Sequence, residues 1–243
     1  INERREVAKK MERDKATRER FQRLLSPGLA EMVVSGELQV EKGGESRVAT
    51  VLFVDIRGFT AMSENTPADE VLQMLNEYFE TVVEIVFRHE GTVDKFIGDA
   101  MMVIWGAPIA HGDDPVRAVK AALEIQLALE RFNQNRGDQG KHLLNVGIGI
   151  NTGSLVAGYI GSSRTMSYSV IGDTVNTASR LCDAAEKGQT LITEYTWPFV
   201  ENRFDAVELK PVYAKGKHDP LKVYQVVGEK VERGSSGRQM VRD

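Results

Sequence analysis

Two aspartates stand where chemistry is easily built. Asp55 and Asp99 each follow an apolar run and lie beside or near glycine, in Phe53-Val54-Asp55-Ile56-Arg57-Gly58-Phe59-Thr60 and Phe96-Ile97-Gly98-Asp99. Carboxylates at strand ends can converge on a divalent cation, and such hard oxygen ligands suit Mg²⁺, which keeps positions for water and substrate phosphates. Taken singly, either aspartate reads as a turn cap; together, with their surroundings, they read as a metal pair. Residues 56–60 add consecutive backbone N–H groups around Gly58 just before a helix, which is the chemistry of a phosphate cradle. No glycine-rich run ends in Gly-Lys-Ser/Thr, which disfavours a P-loop ATPase. Downstream, Asn176 and Arg180 share one face of a helix expected over residues 174–185. His89, His111, His142 and His218 show no zinc-site spacing and read as surface or packing residues. Cys182 reads as a small buried hydrophobe, and Trp105 and Trp197 as core or interface residues.

The segments that hold these groups alternate between strand and helix patterns. Residues 49–55 (Ala-Thr-Val-Leu-Phe-Val-Asp) are β-branched and aromatic, so they read as a buried central strand. Thr66-Pro67-Ala68-Asp69 resembles a helix start. The apolar face that follows, Val71, Leu72, Leu75, Phe79, Val82, Val83 and Val86, should end near Gly91. Residues 92–105 read as a hairpin turning at Gly98-Asp99. Asp113 or Asp114 ahead of Pro115 opens a second amphipathic helix carrying Val116, Val119, Leu123, Leu127 and Phe132, with residues 134–141 as the loop after it. A strand over 144–150 leads through Asn151-Thr152-Gly153 into 154–160, and 166–171 reads as a further strand. Short elements follow at 190–193, 196–202, 204–209 and 221–226. This order predicts an α+β fold.

Composition bounds the function classes. Apolar residues at 42% and charged residues at 27% suit a soluble globular chain, and no window reaches the ~18 consecutive apolar residues of a membrane span. A net charge of -4 without a basic stripe argues against a nucleic-acid surface. A single cysteine excludes an intrachain disulfide and fits a reducing, cytoplasmic setting. Residues 1–25 are densely charged; they suit a solvated helix, either an exposed linker or a signalling helix from a sensor. Beginning at Ile1 without an initiator methionine, the sequence reads as part of a longer protein. The expected division is a helical linker over 1–46, one catalytic domain over 47–228, and a disordered tail over 229–243.

Three segments in order resemble the class III adenylyl and guanylyl cyclase family. They are Phe53 through Thr60 as quoted, Val93-Asp94-Lys95-Phe96-Ile97-Gly98-Asp99, and Ser169-Val170-Ile171-Gly172-Asp173-Thr174-Val175-Asn176-Thr177-Ala178-Ser179-Arg180. The resemblance runs over about residues 47–226. It implies a ferredoxin-like βαββαβ core with a C-terminal extension and an N-terminal helical linker. It also implies an adenylyl cyclase making cyclic AMP and pyrophosphate from ATP, with two divalent cations, Mg²⁺ or Mn²⁺, held by Asp55, Asp99 and the carbonyl of Ile56. Gly58, Phe59 and Thr60 would cradle phosphate, and Lys215, with Lys217 beside it, would meet the terminal phosphates.

By the same resemblance, Lys95 and Ser169 read the purine. A lysine ammonium donates to adenine N1, and a small hydroxyl serves the 6-amino group; GTP cyclases typically place glutamate and cysteine there. Asn176 would orient the ribose, and Arg180 would stabilise charge developing at the α-phosphate. Some relatives have arginine where this chain has Ser154, which shifts part of the phosphate binding to other groups. Because one chain carries both the metal aspartates and the base-reading residues, the resemblance implies a homodimer with two shared sites, driven by an upstream sensor or regulatory domain. The parent protein could still be membrane-attached. The competing readings are a guanylyl cyclase, a non-catalytic regulatory domain, and a diguanylate cyclase or polymerase palm. The last is disfavoured because no Gly-Gly-Asp/Glu-Glu-Phe signature is present.

Overall fold

The computed structural model describes residue 32 and residues 43–162, 164–212 and 220–231. The linker helix expected over 1–25, most of the tail, and Lys215 with Lys217 lie outside the described residues.

The core begins at β1 (Gly43–Ile56), followed by the short helix α1 (Phe59–Ser63), α2 (Ala68–Arg88), the hairpin β2 (Thr92–Ile97) and β3 (Ala100–Trp105), α3 (Asp114–Asp138) and β4 (Val146–Gly161). The strands order as β2-β3-β1-β4, with β1 antiparallel to both β3 and β4. This is the ferredoxin-like βαββαβ arrangement that the motif order implies. The sheet continues from β4 to β6 (Thr190–Thr193), β8 (Val223–Glu229) and β7 (Phe204–Glu208), while β5 (Met166–Ile171) pairs with the distal half of β4. Helices α4 (Asp173–Ala184) and α5 (Trp197–Val200) complete the chain. No helix among the described residues is long and apolar enough to cross a membrane.

The sheet is covered on both faces, which explains the unbroken apolar run in β1. Leu52, Val54 and Ile56 enter the core beneath α2 and α3, whereas Ala49, Val51 and Phe53 enter a second cluster that includes Ala178 and Cys182 of α4. A strand buried on both sides loses the alternation that a half-exposed strand would display.

Three local expectations are corrected. Residues 134–138 are helical, because their polar groups tie down the segment beyond: Asn133 exchanges hydrogen bonds with the backbone of Leu144, and Arg136 Nε donates to the His142 carbonyl at 2.8 Å. Asn151-Thr152-Gly153, expected to link two separate strands, is the middle of the single continuous strand β4. Its polar side chains are satisfied inside, Thr152 Oγ1 lying 2.9 Å from Thr50 Oγ1 and Asn151 Oδ1 accepting from Thr193 Oγ1 at 2.7 Å. Strand β1 also begins at Gly43, which lies opposite Tyr159 of β4, rather than at residue 49.

Candidate active site

Asp55 and Asp99 meet although they leave different strands. Asp55 is the penultimate residue of β1, and Asp99 occupies the turn between β2 and β3, where Gly98 takes a left-handed φ of 65° that permits the tight reversal. The register of β1 on β3, with Val54 opposite Met101, brings that turn to the end of β1. The nearby backbone amides of Asp99 and Ile56 favour the charged form of the Asp99 carboxylate. Burial, and then the charge of Asp55, push Asp99 up to about 6 from its ordinary 3.8. Two carboxylates held together at this energetic cost form a donor set that a divalent cation relieves, with only oxygen ligands, so Mg²⁺ or Mn²⁺ fits the residues present. Among the described residues no cluster of three or more His, Cys, Asp and Glu side chains is assembled. The pair would therefore share its cation with phosphate oxygens and water.

After Ile56 the chain turns at Gly58, whose φ of 78° lets it lead into α1. Phe59 packs against the main core and Thr60 is exposed. The backbone N–H groups of Phe59 and Thr60 thus open the first turn of a helix beside Asp55, where intrahelical partners are missing.

Lys95 and Ser169, 74 residues apart, are in contact: Lys95 Nζ donates to Ser169 Oγ at 3.1 Å. Asn176 is exposed on α4 and Arg180 partly exposed one turn later. The start of α4 is fixed to β4, since Asn151 Nδ2 donates to the Thr174 carbonyl at 3.0 Å and Thr174 Oγ1 donates to the Ser154 carbonyl at 2.7 Å. Gly149 in β4 meets the backbone of α4 directly.

Two functional neighbours escaped the sequence reading. Arg57 Nη2 pairs with Asp55 Oδ2 at 3.2 Å and donates to the Cys182 carbonyl at 3.0 Å, linking Asp55 to the end of α4. Its position two residues after Asp55 was the available signal. Asp94 lies beside Lys95 and Ser169, and a charged pair inside an otherwise apolar strand was the hint. Cys182 is buried as expected, its Sγ donating to the Gly147 carbonyl at 3.3 Å. His89 and His111 hydrogen-bond carboxylates rather than a common centre, His89 Nε2 lying 2.7 Å from Glu124 and the His111 backbone N–H reaching Asp114.

The Adenylate and Guanylate cyclase catalytic domain family matches residues 42–228. Adenylate cyclase 1 of Rhizobium meliloti is 36% identical over 182 residues, covering 74% of this chain and 27% of that protein. The chain thus spans about a quarter of that relative's length. Among solved structures, the adenylyl cyclase CyaB from P. aeruginosa superposes with a TM-score of 0.75 at 34% identity, over 77% of this chain and 97% of that one. The guanylyl cyclase Cya2 gives the same TM-score of 0.75 at 38% identity, over 79% and 98%. Overall likeness therefore does not separate the two bases; the residues that face the purine must.

Proposed function

The chain belongs to the adenylate and guanylate cyclase catalytic domain family, and from that membership we propose that it is an adenylyl cyclase domain converting ATP to 3',5'-cyclic AMP and pyrophosphate. The observation that carries ATP over GTP is the contact of Lys95 with Ser169 at 3.1 Å. An ammonium proton suits adenine N1, which accepts, whereas guanine N1–H donates. Asp55, Asp99 and the Ile56 carbonyl hold the cations, and the backbone of Gly58, Phe59 and Thr60 receives phosphate. Two divalent cations so held would activate the ribose 3'-hydroxyl and neutralise the departing pyrophosphate. Asn176 orients the ribose, and Arg180 stabilises charge on the α-phosphate as it is attacked in line. Lys215 supplies a further cation for the terminal phosphates.

Each site is completed by a second copy, the metal aspartates of one protomer facing Lys95, Ser169, Asn176 and Arg180 of the other. Supporting this, Phe96, Ile97, Val156, Ile160 and Ile171 leave 42–55% of their surfaces exposed on β2, β4 and β5, the strands that carry Lys95 and Ser169 or pair with them. Apolar surface of this kind marks an association face. We place the domain in the cytoplasm with its ATP, under an upstream regulatory segment, and assign it no nucleic-acid partner.

The test is incubation of the purified protein with ATP or GTP and Mn²⁺, with products identified by mass. Cyclic AMP is expected, and cyclic GMP as sole product would reverse the base assignment. Mixing Asp55→Ala and Arg180→Ala chains should restore activity that neither has alone; absence of recovery refutes the shared site.

A further inference from the structure

Lys95 and Ser169 share a third residue. Asp94 Oδ2 accepts from Ser169 Oγ at 3.0 Å and from Lys95 Nζ at 3.0 Å, and the Asp94 side chain is only 1% exposed. Consecutive residues of a regular strand point to opposite faces, so Asp94 and Lys95 should not both reach Ser169. They do so because the β2–β3 register shifts between them: Val93 lies opposite Val103 and Lys95 opposite Met102, which leaves Asp94 as the extra residue of a bulge. The arrangement is costly, since Asp94 Oδ1 is buried without a hydrogen-bond partner. A carboxylate kept in such a position serves something other than stability.

A serine hydroxyl carries one proton and two lone pairs. A carboxylate oxygen can only accept, so the Ser169 proton is committed to Asp94, and one lone pair receives Lys95. What remains toward a ligand is a single lone pair and no proton. Such a hydroxyl accepts from an exocyclic amine but offers nothing to a carbonyl oxygen, whereas an untethered serine can rotate to serve either. The Lys95 ammonium, with one proton on Asp94 and one on Ser169, keeps its third for a ring nitrogen that accepts.

We infer that Asp94 is a positioning residue for base selection: by holding the Ser169 proton from within the β2 bulge, it fixes Ser169 as an acceptor and selects 6-amino over 6-oxo purine nucleotides. This rests on the nucleotide-binding reading above and extends it to a residue that does not itself touch the base.

The test uses Asp94→Ala in the full chain and in a Ser169→Ala background, with Asp94→Leu, which has a similar branched shape and no acceptor for the Ser169 proton, deciding the matter if Asp94→Ala melts below the assay temperature. Selectivity is read as the ATP-to-GTP ratio of kcat/KM, and independently as the ratio of Kd values for 3'-deoxy-ATP and 3'-deoxy-GTP, which cannot cyclise. Removing the tether should lower both ratios about tenfold, the worth of one committed hydrogen bond, and should change neither ratio when Ser169 is already alanine. Equal losses for both nucleotides, an unchanged ratio in a folded variant, or the same shift without the serine would overturn the inference. A wild-type chain lacking base selectivity in the binding assay would overturn it too. A wild type that binds adenine nucleotides selectively yet forms no cyclic product refutes the cyclase reading alone.

Discussion

Gly149→Ala should disable catalysis by moving one helix while sparing base recognition. Gly149 lies in β4 between Phe53 of β1 and Leu191 of β6. A Cβ there would stand 2.2 Å from Cys182 N, 2.6 Å from the Ala178 carbonyl oxygen and 2.7 Å from Leu181 C, all backbone atoms of α4. Ordinary contact begins at 3.4 Å, so α4 must retreat by about 1.2 Å (3.4 minus 2.2). No side-chain rotation can absorb this, because the obstacle is main chain. Overpacking of this kind costs ~2 kcal/mol, equivalent to a Tm loss of roughly 4–8 °C for a domain of this size. Asn176 and Arg180 travel with α4, and a displacement near 1 Å can reduce a positioned reaction ~100-fold. Lys95 and Ser169 sit on β2 and β5, so KM for ATP should stay within about threefold while kcat falls ~100-fold. Thermal unfolding followed by steady-state kinetics at a temperature where the variant is fully folded measures both. A variant with wild-type Tm and kcat would refute the close-approach argument. A lowered Tm with unchanged kcat would show that α4 position is not coupled to the chemistry.

Two further outcomes follow from the electrostatics. In metal-free protein, Asp99 titrates near 6, above its ordinary 3.8, so its contribution to stability is fully present below about 3.8 and lost as pH rises through 6. Asp55→Asn should flatten that loss, and Mn²⁺ should reverse it by pairing both carboxylates; identical pH–Tm slopes for wild type and Asp55→Asn in EDTA would contradict the pairing. Burial pushes the Cys182 thiol up to about 12 from 9.0, leaving about a thousandfold less thiolate at pH 8 than a free cysteine has. Thiol reagents should therefore label Cys182 only on unfolding, and rapid stoichiometric labelling of native protein would show that the α4–β4 packing is open.

What the sequence determined by itself was local or motif-bound. The hairpin with its turn at Gly98-Asp99, the buried run before Asp55, and the helix after Pro115 are each encoded within a dozen or so residues by periodicity and turn chemistry, and all three appear as expected. The same is true of the residue types able to handle a nucleotide, because each brings its own protons, charge or lone pairs. Tertiary structure decided the rest. Asn151-Thr152-Gly153 reads locally as a link between two strands, yet it forms the centre of β4 because Thr50, Thr193 and Thr174 complete its hydrogen bonds from distant parts of the chain. Polar groups that look destined for solvent can be satisfied in the interior, and nothing within the segment announces their partners. Asp94 makes the point for the site itself. As one acidic residue in a strand it has no visible role; once a one-residue bulge turns it onto Ser169, 75 residues away, it becomes the group that fixes which way a hydroxyl points.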